Sequence, residues 1–90
     1  MRKRIKKGEW NPQEWSKHYF EMDAVEKEYL QHVVFERLQA MRHKYLVIHE
    51  MELSLSDVLC EQLHKFEQLE DYGMCQILKD AADLYEIDLY

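Results

Sequence analysis

Glu61 and His64 form a Glu-x-x-His pair, a spacing that places a carboxylate and an imidazole on the same side of a helix. Di-iron helical bundles use this pair together with glutamates from neighbouring helices, and Glu36 is the candidate third ligand here. The chain contains no second Glu-x-x-His, and Leu59 and Leu63 put the apolar stripe on the other side of that helix. We therefore expect Glu61 and His64 at the solvent-exposed surface. A metal-binding, ferritin-like half-bundle closed by a second chain remains the second alternative.

A ladder of acidic and imidazole side chains runs along one quadrant of the longest helical segment. Its members are Glu28, His32, Glu36, Gln39, His43 and Glu50. Each glutamate–histidine step of four residues stabilises a helix by only about 0.2–0.5 kcal/mol, so we interpret the ladder as a solvated face. If His32 and His43 instead face acidic residues of a partner, their protonation would make the contact sensitive to pH.

Nucleophilic chemistry finds no support in the sequence. Cys60 and Cys75 flank apolar stripes, and Ser54 and Ser56 stand where a helix needs an N-cap. The only two glycines are 65 positions apart, so the chain has no glycine-rich loop for phosphate. We predict no catalytic site and no cofactor.

The composition predicts an all-α protein of one domain. The 90 residues include two glycines, one proline and no threonine, which leaves too few turn residues for a β-sandwich. We expect a small bundle of three or four helices around one long central helix, completed by dimerisation. The predicted domain covers 9–90, and its helices cover about 12–22, 24–52, 57–71 and 74–87.

Several residues mark where these helices begin and end. Asn11 followed by Pro12 is typical of a helix start, and Trp10 could fold back onto that first turn. Asp23 is a second candidate N-cap, although the apolar stripe continues through it, so the sequence leaves open whether 12–52 is one helix. Gly73 has the place of a left-handed residue that ends the third helix.

The long helix has more apolar circumference than so short a chain can cover. We predict that a second copy packs antiparallel against its main stripe, which comprises Leu30, Val34, Leu38, Met41, Tyr45 and Ile48. Phe35 and Leu46 project to the opposite side and form a second apolar face. The expected assembly is a homodimer.

Charge is distributed unevenly along the chain. Positions 1–8 are predicted to be a disordered basic arm with five cationic side chains, Arg2, Lys3, Arg4, Lys6 and Lys7. The remainder carries a formal charge of -11 although the whole chain carries -6. An acidic body favours a partner with a basic surface, whereas the arm could bind phosphates of a nucleic acid.

These observations favour a small, acidic, non-enzymatic module that binds proteins, acting as an inhibitor, an antitoxin-like protein or an adaptor. The first alternative is a helical dimer that associates with nucleic acid through the basic arm. Two cysteines, no secretory signal and no apolar run near 20 residues lead us to expect a cytoplasmic location without membrane insertion.

Overall fold

Four α-helices make up most of residues 10–89, the part of the chain that the computed structural model describes. The helices are α1 (Pro12–His18), α2 (Ala24–His49), α3 (Leu55–Gln68) and α4 (Tyr72–Leu84). A 3-10 turn at Tyr19–Glu21 follows α1. No strand occurs between residues 10 and 89, so the predicted all-α bundle with one long helix is confirmed. The predicted basic arm at 1–8 lies outside the described residues.

The first helix begins as the sequence predicts. The side chain of Asn11 accepts a hydrogen bond from the backbone N–H of Glu14 at 3.4 Å, and Pro12 occupies the first turn, where its missing N–H costs nothing. The rings of Trp10 and Trp15 meet edge to face with centroids 5.6 Å apart. This contact fixes the direction in which the chain enters the bundle.

The helix is not continuous from 12 to 52. Met22 has an extended backbone (ψ 148°), and Asp23 accepts a hydrogen bond from the N–H of Glu26 at 2.8 Å. A new N-cap therefore starts α2 immediately after the 3-10 turn. At its other end α2 stops at His49, three residues before the predicted limit, because Glu50 adopts a left-handed conformation with φ 54°.

The predicted role of Gly73 as the terminator of the third helix is wrong. The left-handed residue after α3 is Glu70 (φ 56°), and Gly73 lies buried in the first turn of α4. A Cβ atom at Gly73 would lie 2.6 Å from the carbonyl oxygen and 2.9 Å from the Cα of Ser16. The glycine is therefore required by the close approach of α4 to α1, which the sequence did not indicate.

A polar contact reinforces that approach. Asp71 caps α4 by accepting a hydrogen bond from the N–H of Met74 at 3.2 Å, and the hydroxyl of Ser16 donates to the same carboxylate oxygen. Ser54 and Asp57 form a reciprocal capping box at the start of α3. Each capped helix start contributes about 1 kcal/mol of stability.

The core lies where α4 packs between the other helices. α4 contacts α1, α2 and α3, and α2 also packs against α3. The completely buried side chains are those of Leu30, Val34, Leu38, Leu59, Met74, Ile77, Leu78 and Ala81, each 0% exposed. α2 is the longest element, with 26 residues, and it positions the surface described next.

Candidate functional site

The face of α2 that enters the core continues beyond it toward the C-terminal end of the helix. Residues seven positions apart lie on nearly the same side of a helix, because seven residues make almost two turns. Val33 is 3% exposed, whereas Val47, fourteen positions later, is 62% exposed. Val34 is fully buried, whereas Ile48, also fourteen positions later, is 59% exposed. One apolar face is thus covered at its start and open at its end.

Helix length explains why this face is open. At 1.5 Å per residue α2 is about 39 Å long, while α4 has 13 residues and reaches about half that distance. Among the described residues, those of α3 contact the final turns of α2. There Tyr45 is half-buried, and its hydroxyl donates a hydrogen bond of 2.7 Å to Glu61 of α3. α3 therefore covers one flank of the end of α2 and leaves the adjacent flank free.

We call this free flank the α2 end surface. It comprises Ala40, Lys44, Val47 and Ile48 together with Met51, which follows the helix, and all five are exposed. A recess of about 440 Å³ adjoins it between α2 and α3, lined by Arg37, Ala40, Met41, Lys44, Tyr45, His49 and Gln62. Apolar atoms and cationic groups therefore share one concave surface.

Two cationic side chains, Arg37 and Lys44, line the recess although the protein is acidic, and the Glu61 carboxylate lies beside it, hydrogen-bonded to the hydroxyl of Tyr45. Three basic residues, Arg37, Arg42 and Lys44, and no acidic residue fall between Arg37 and His49. No carboxylate belongs to the lining of the recess. The guanidinium of Arg37 lies 5.5 Å from the ring centroid of Trp10, which holds that cation at one end of the recess. The segment from Arg37 to His49 departs from the acidic character predicted for the whole body, although its charge pattern is visible in the sequence.

The predicted self-association residues separate into two groups. Leu30, Val34 and Leu38 are 0% exposed within a single chain, so they belong to its own core and cannot contact a second copy. Met41 and Tyr45 pack partly against that core, and Ile48 is exposed. The prediction that one continuous stripe forms the interface is therefore corrected, because α4 already covers its first half.

The predicted second apolar face of Phe35 and Leu46 is also corrected. The ring of Phe35 stacks on that of Tyr85 with centroids 3.9 Å apart, so residues following α4 cover it. Leu46 is 46% exposed and borders a different recess, next to Arg42 and Leu53. These two side chains do not form a shared surface.

One step of the acidic and imidazole ladder makes a contact that the sequence did not indicate. Nδ1 of His32 lies 2.7 Å from the hydroxyl oxygen of Tyr85, and its Nε2 lies 3.4 Å from a carboxylate oxygen of Glu36. The ring of Tyr85 is largely shielded from water, and this burial raises the pKa of its hydroxyl. His32 therefore contacts its own chain, while His43 is exposed.

The candidate metal ligands do not converge within one chain. Glu61 accepts the hydrogen bond from Tyr45, and Nε2 of His64 lies 3.1 Å from the amide nitrogen of Gln68. Glu36 is placed beside His32 on another helix. Among residues 10–89 no group of three or more His, Cys, Asp or Glu side chains could hold a metal ion. The residues do not fit the proposed metal site in this chain.

A polar network joins α4 to the 3-10 turn and α2. The hydroxyl of Tyr19 donates to Asp80 at 2.6 Å and accepts from the amide of Gln31 at 2.7 Å. Gln76 donates to the other oxygen of Asp80 at 2.8 Å. Burial, reinforced by the Asp80 carboxylate, raises the pKa of Tyr19 far above its ordinary value of 10.0. The phenol therefore stays protonated and serves to hold the helices together.

Comparisons with known proteins add no relative: no family model, curated protein or solved structure matches this chain. Within residues 10–89 no helix combines the length and the apolar character needed to cross a bilayer.

Proposed function

We propose that this chain is a non-enzymatic regulatory module that binds another protein through the α2 end surface, as an inhibitor, an antitoxin-like protein or an adaptor. One observation carries the proposal. The face that is buried at Val33 and Val34 is open to solvent at Val47 and Ile48, although all four residues are β-branched and apolar. A partner that covers the second pair would continue the packing that the bundle itself provides for the first.

The energetics favour such a partner. Complete burial of one large aliphatic side chain is worth about 1.5–3 kcal/mol. Val47, Ile48 and Met51 are each about half exposed or more, at 62%, 59% and 47%. Single exposed apolar residues are common on protein surfaces, but adjacent ones on a rigid helix mark contact sites. The methionine and arginine beside this apolar centre, Met51 and Arg37, are residue types enriched in protein interfaces.

The environment of the cysteine in the core supports a non-enzymatic role. Cys75 is buried, and burial raises the pKa of its thiol, which disfavours the reactive thiolate. Its sulfur lies 4.0 Å from the carbonyl oxygen of Leu63, a backbone acceptor that cannot act as a general base. The Cys75 thiol is therefore best explained as a packing group.

The other partners predicted from the sequence would bind at different parts of the molecule. Self-association remains a prediction. Met41, Tyr45 and Ile48 would form its contact, which is smaller than the six-residue stripe expected from the sequence. A partner with a basic surface would bind the acidic remainder of the body rather than the α2 end surface. The nucleic-acid alternative depends on the arm at 1–8.

Affinity purification followed by mass spectrometry tests the proposal when it compares two matched variants. Val47→Asp places a charge at the centre of the α2 end surface, whereas Val25→Asp places the same charge at a valine that is 79% exposed in the first turn of α2. We expect the wild type and Val25→Asp to retain the same partner and Val47→Asp to retain at least about tenfold less of it. Equal recovery with both variants, or salt-dependent recovery of nucleic acid alone, would contradict the proposal.

A further inference from the structure

We infer that the segment which binds the α2 end surface is an acidic amphipathic helix of another protein. The inference rests on the proposed function and specifies the chemistry of its partner. Three observations support it: the shape of the free flank, the charge of the adjacent recess, and the heptad spacing that relates the residues of the flank to buried residues of the core.

The shape of the free flank fits a helix. Val33 and Val34 are buried in a cluster that includes Met74, Ile77 and Leu78 of α4. In the α2 end surface, Val47 and Ile48 follow Val33 and Val34 by two heptads. This part of α2 therefore offers ridges and grooves like those against which α4 packs. A helix docked there would lie beside α2 and face α3, and its apolar residues would recur every three or four positions.

The charge of the recess selects an acidic helix. Arg37 and Lys44 are cationic side chains of the lining, which contains no carboxylate of its own. Glutamate or aspartate residues that flank the apolar stripe of the partner would lie opposite these groups. Pairing opposite charges at the rim of an apolar contact raises the association rate and selects against wrong partners.

The same charges disfavour two other occupants, and the apolar side chains disfavour a third. A second copy related by two-fold symmetry would bring two sets of Arg37 and Lys44 toward each other, since both copies present the same surface. The sequence 1–8 carries five cationic side chains, which do not complement Arg37 and Lys44. Nucleic acid would satisfy the cations but would leave Val47 and Ile48 without apolar contacts.

Two designed peptides provide the test. Each is an amphipathic helix of about five turns with leucines at spacings of three and four; one carries glutamates beside the leucines and the other carries lysines at the same positions. Binding to the isotope-labelled full chain is followed by nuclear magnetic resonance. We expect the glutamate peptide to bind at least about tenfold more tightly and to shift the amide signals of residues 37–49.

A charge reversal on the protein checks that the preference arises at this surface. We expect Lys44→Glu to weaken binding of the glutamate peptide about tenfold and to reverse the preference between the peptides. Lys79→Glu makes the same change on α4, away from the α2 end surface, and should leave both affinities unchanged. Amide spectra of the two variants without peptide confirm that both are folded.

Several outcomes would overturn the inference. They are equal affinity for both peptides, tighter binding of the lysine peptide, no shift of the signals of residues 37–51, and no effect of Lys44→Glu. Sedimentation that shows the peptide competing with dimerisation would identify a second copy as the occupant. Displacement of the peptide by an oligonucleotide would identify nucleic acid. If Val47→Asp still abolishes partner recovery while the peptides fail to discriminate, the proposed function stands and only the acidic chemistry is wrong.

Discussion

The ring of Tyr85 stacks on the ring of Phe35, with centroids 3.9 Å apart and planes within 5° of parallel. Through this contact the residue that follows α4 packs against α2. The hydroxyl of Tyr85 also makes a hydrogen-bonding contact with His32 of α2. The stacked ring shields part of Phe35 from solvent, whereas Val47 and Ile48 near the end of α2 stay open.

Replacing Tyr85 should lower stability in two steps. Tyr85→Ala removes both the stacked ring and the hydroxyl, and we expect it to lower the free energy of unfolding by about 1–3 kcal/mol. Tyr85→Phe keeps the ring and removes only the contact with His32, which should cost less than about 1 kcal/mol. Denaturant unfolding monitored by tryptophan fluorescence measures both values. Equal losses would show that the stacking contributes nothing.

Gly73→Ala should destabilise the bundle by about 1–3 kcal/mol or more, because overpacking forces α1 and α4 apart. The new methyl group would meet the carbonyl oxygen of Ser16 at 2.6 Å and its Cα at 2.9 Å. Since both atoms are retained in Ser16→Ala, the double variant should not recover the lost stability. Thermal unfolding followed by circular dichroism gives the comparison, and full recovery in the double variant would refute the backbone contact.

Stability should fall in alkaline solution because of Tyr19. Its pKa is raised in the folded chain above the ordinary value of 10.0, so the folded state holds this proton more tightly than the unfolded state does. The contribution is complete below about pH 10 and is lost as the pH rises above that value. Tyr19→Phe should lower stability at neutral pH but show a shallower decline above pH 10. Denaturant unfolding at several pH values tests this, and parallel declines would argue against it.

The same substitution should destabilise the protein by very different amounts at two valines on one face of α2. Val33→Asp buries a carboxylate without a partner, and we expect it to lower the free energy of unfolding by about 3 kcal/mol or more. Val47→Asp changes an exposed position and should cost less than about 1 kcal/mol. Denaturant midpoints distinguish the two. A large loss for Val47→Asp would mean that the end of α2 is already covered within the chain.

Local signals in the sequence were sufficient for the class of fold and for the start of α1, whereas α3 and α4 each begin two residues before the predicted 57 and 74. Asn11 followed by Pro12, and Ser54 three residues before Asp57, act through neighbours within one turn, so their caps could be predicted. The role of Gly73 could not, because it depends on Ser16, which is 57 positions away in the chain. A left-handed glutamate, Glu70, takes the place that glycine usually holds.

The sequence predicts the apolar residues of the candidate surface but not which of them are exposed, because exposure also depends on distant parts of the chain. Periodicity shows that Leu30 and Ile48 belong to one apolar stripe, but it does not show which other helices cover each turn. That depends on where α4 packs against α2, and α4 covers Leu30 while it leaves Ile48 open. The excess apolar area of α2 was correctly recognised, whereas its location was not.

Site-specific photo-cross-linking in living cells tests the central claim most directly. A photoreactive phenylalanine analogue replaces Val47 in one variant and Val25 in the other, both exposed positions on α2. The account predicts a light-dependent adduct with one other protein at position 47 and none at position 25. Two results would contradict the claim that the α2 end surface is the binding site. One is an adduct of the same yield at both positions, and the other is no adduct at position 47 in cells from which the partner co-purifies with the wild type.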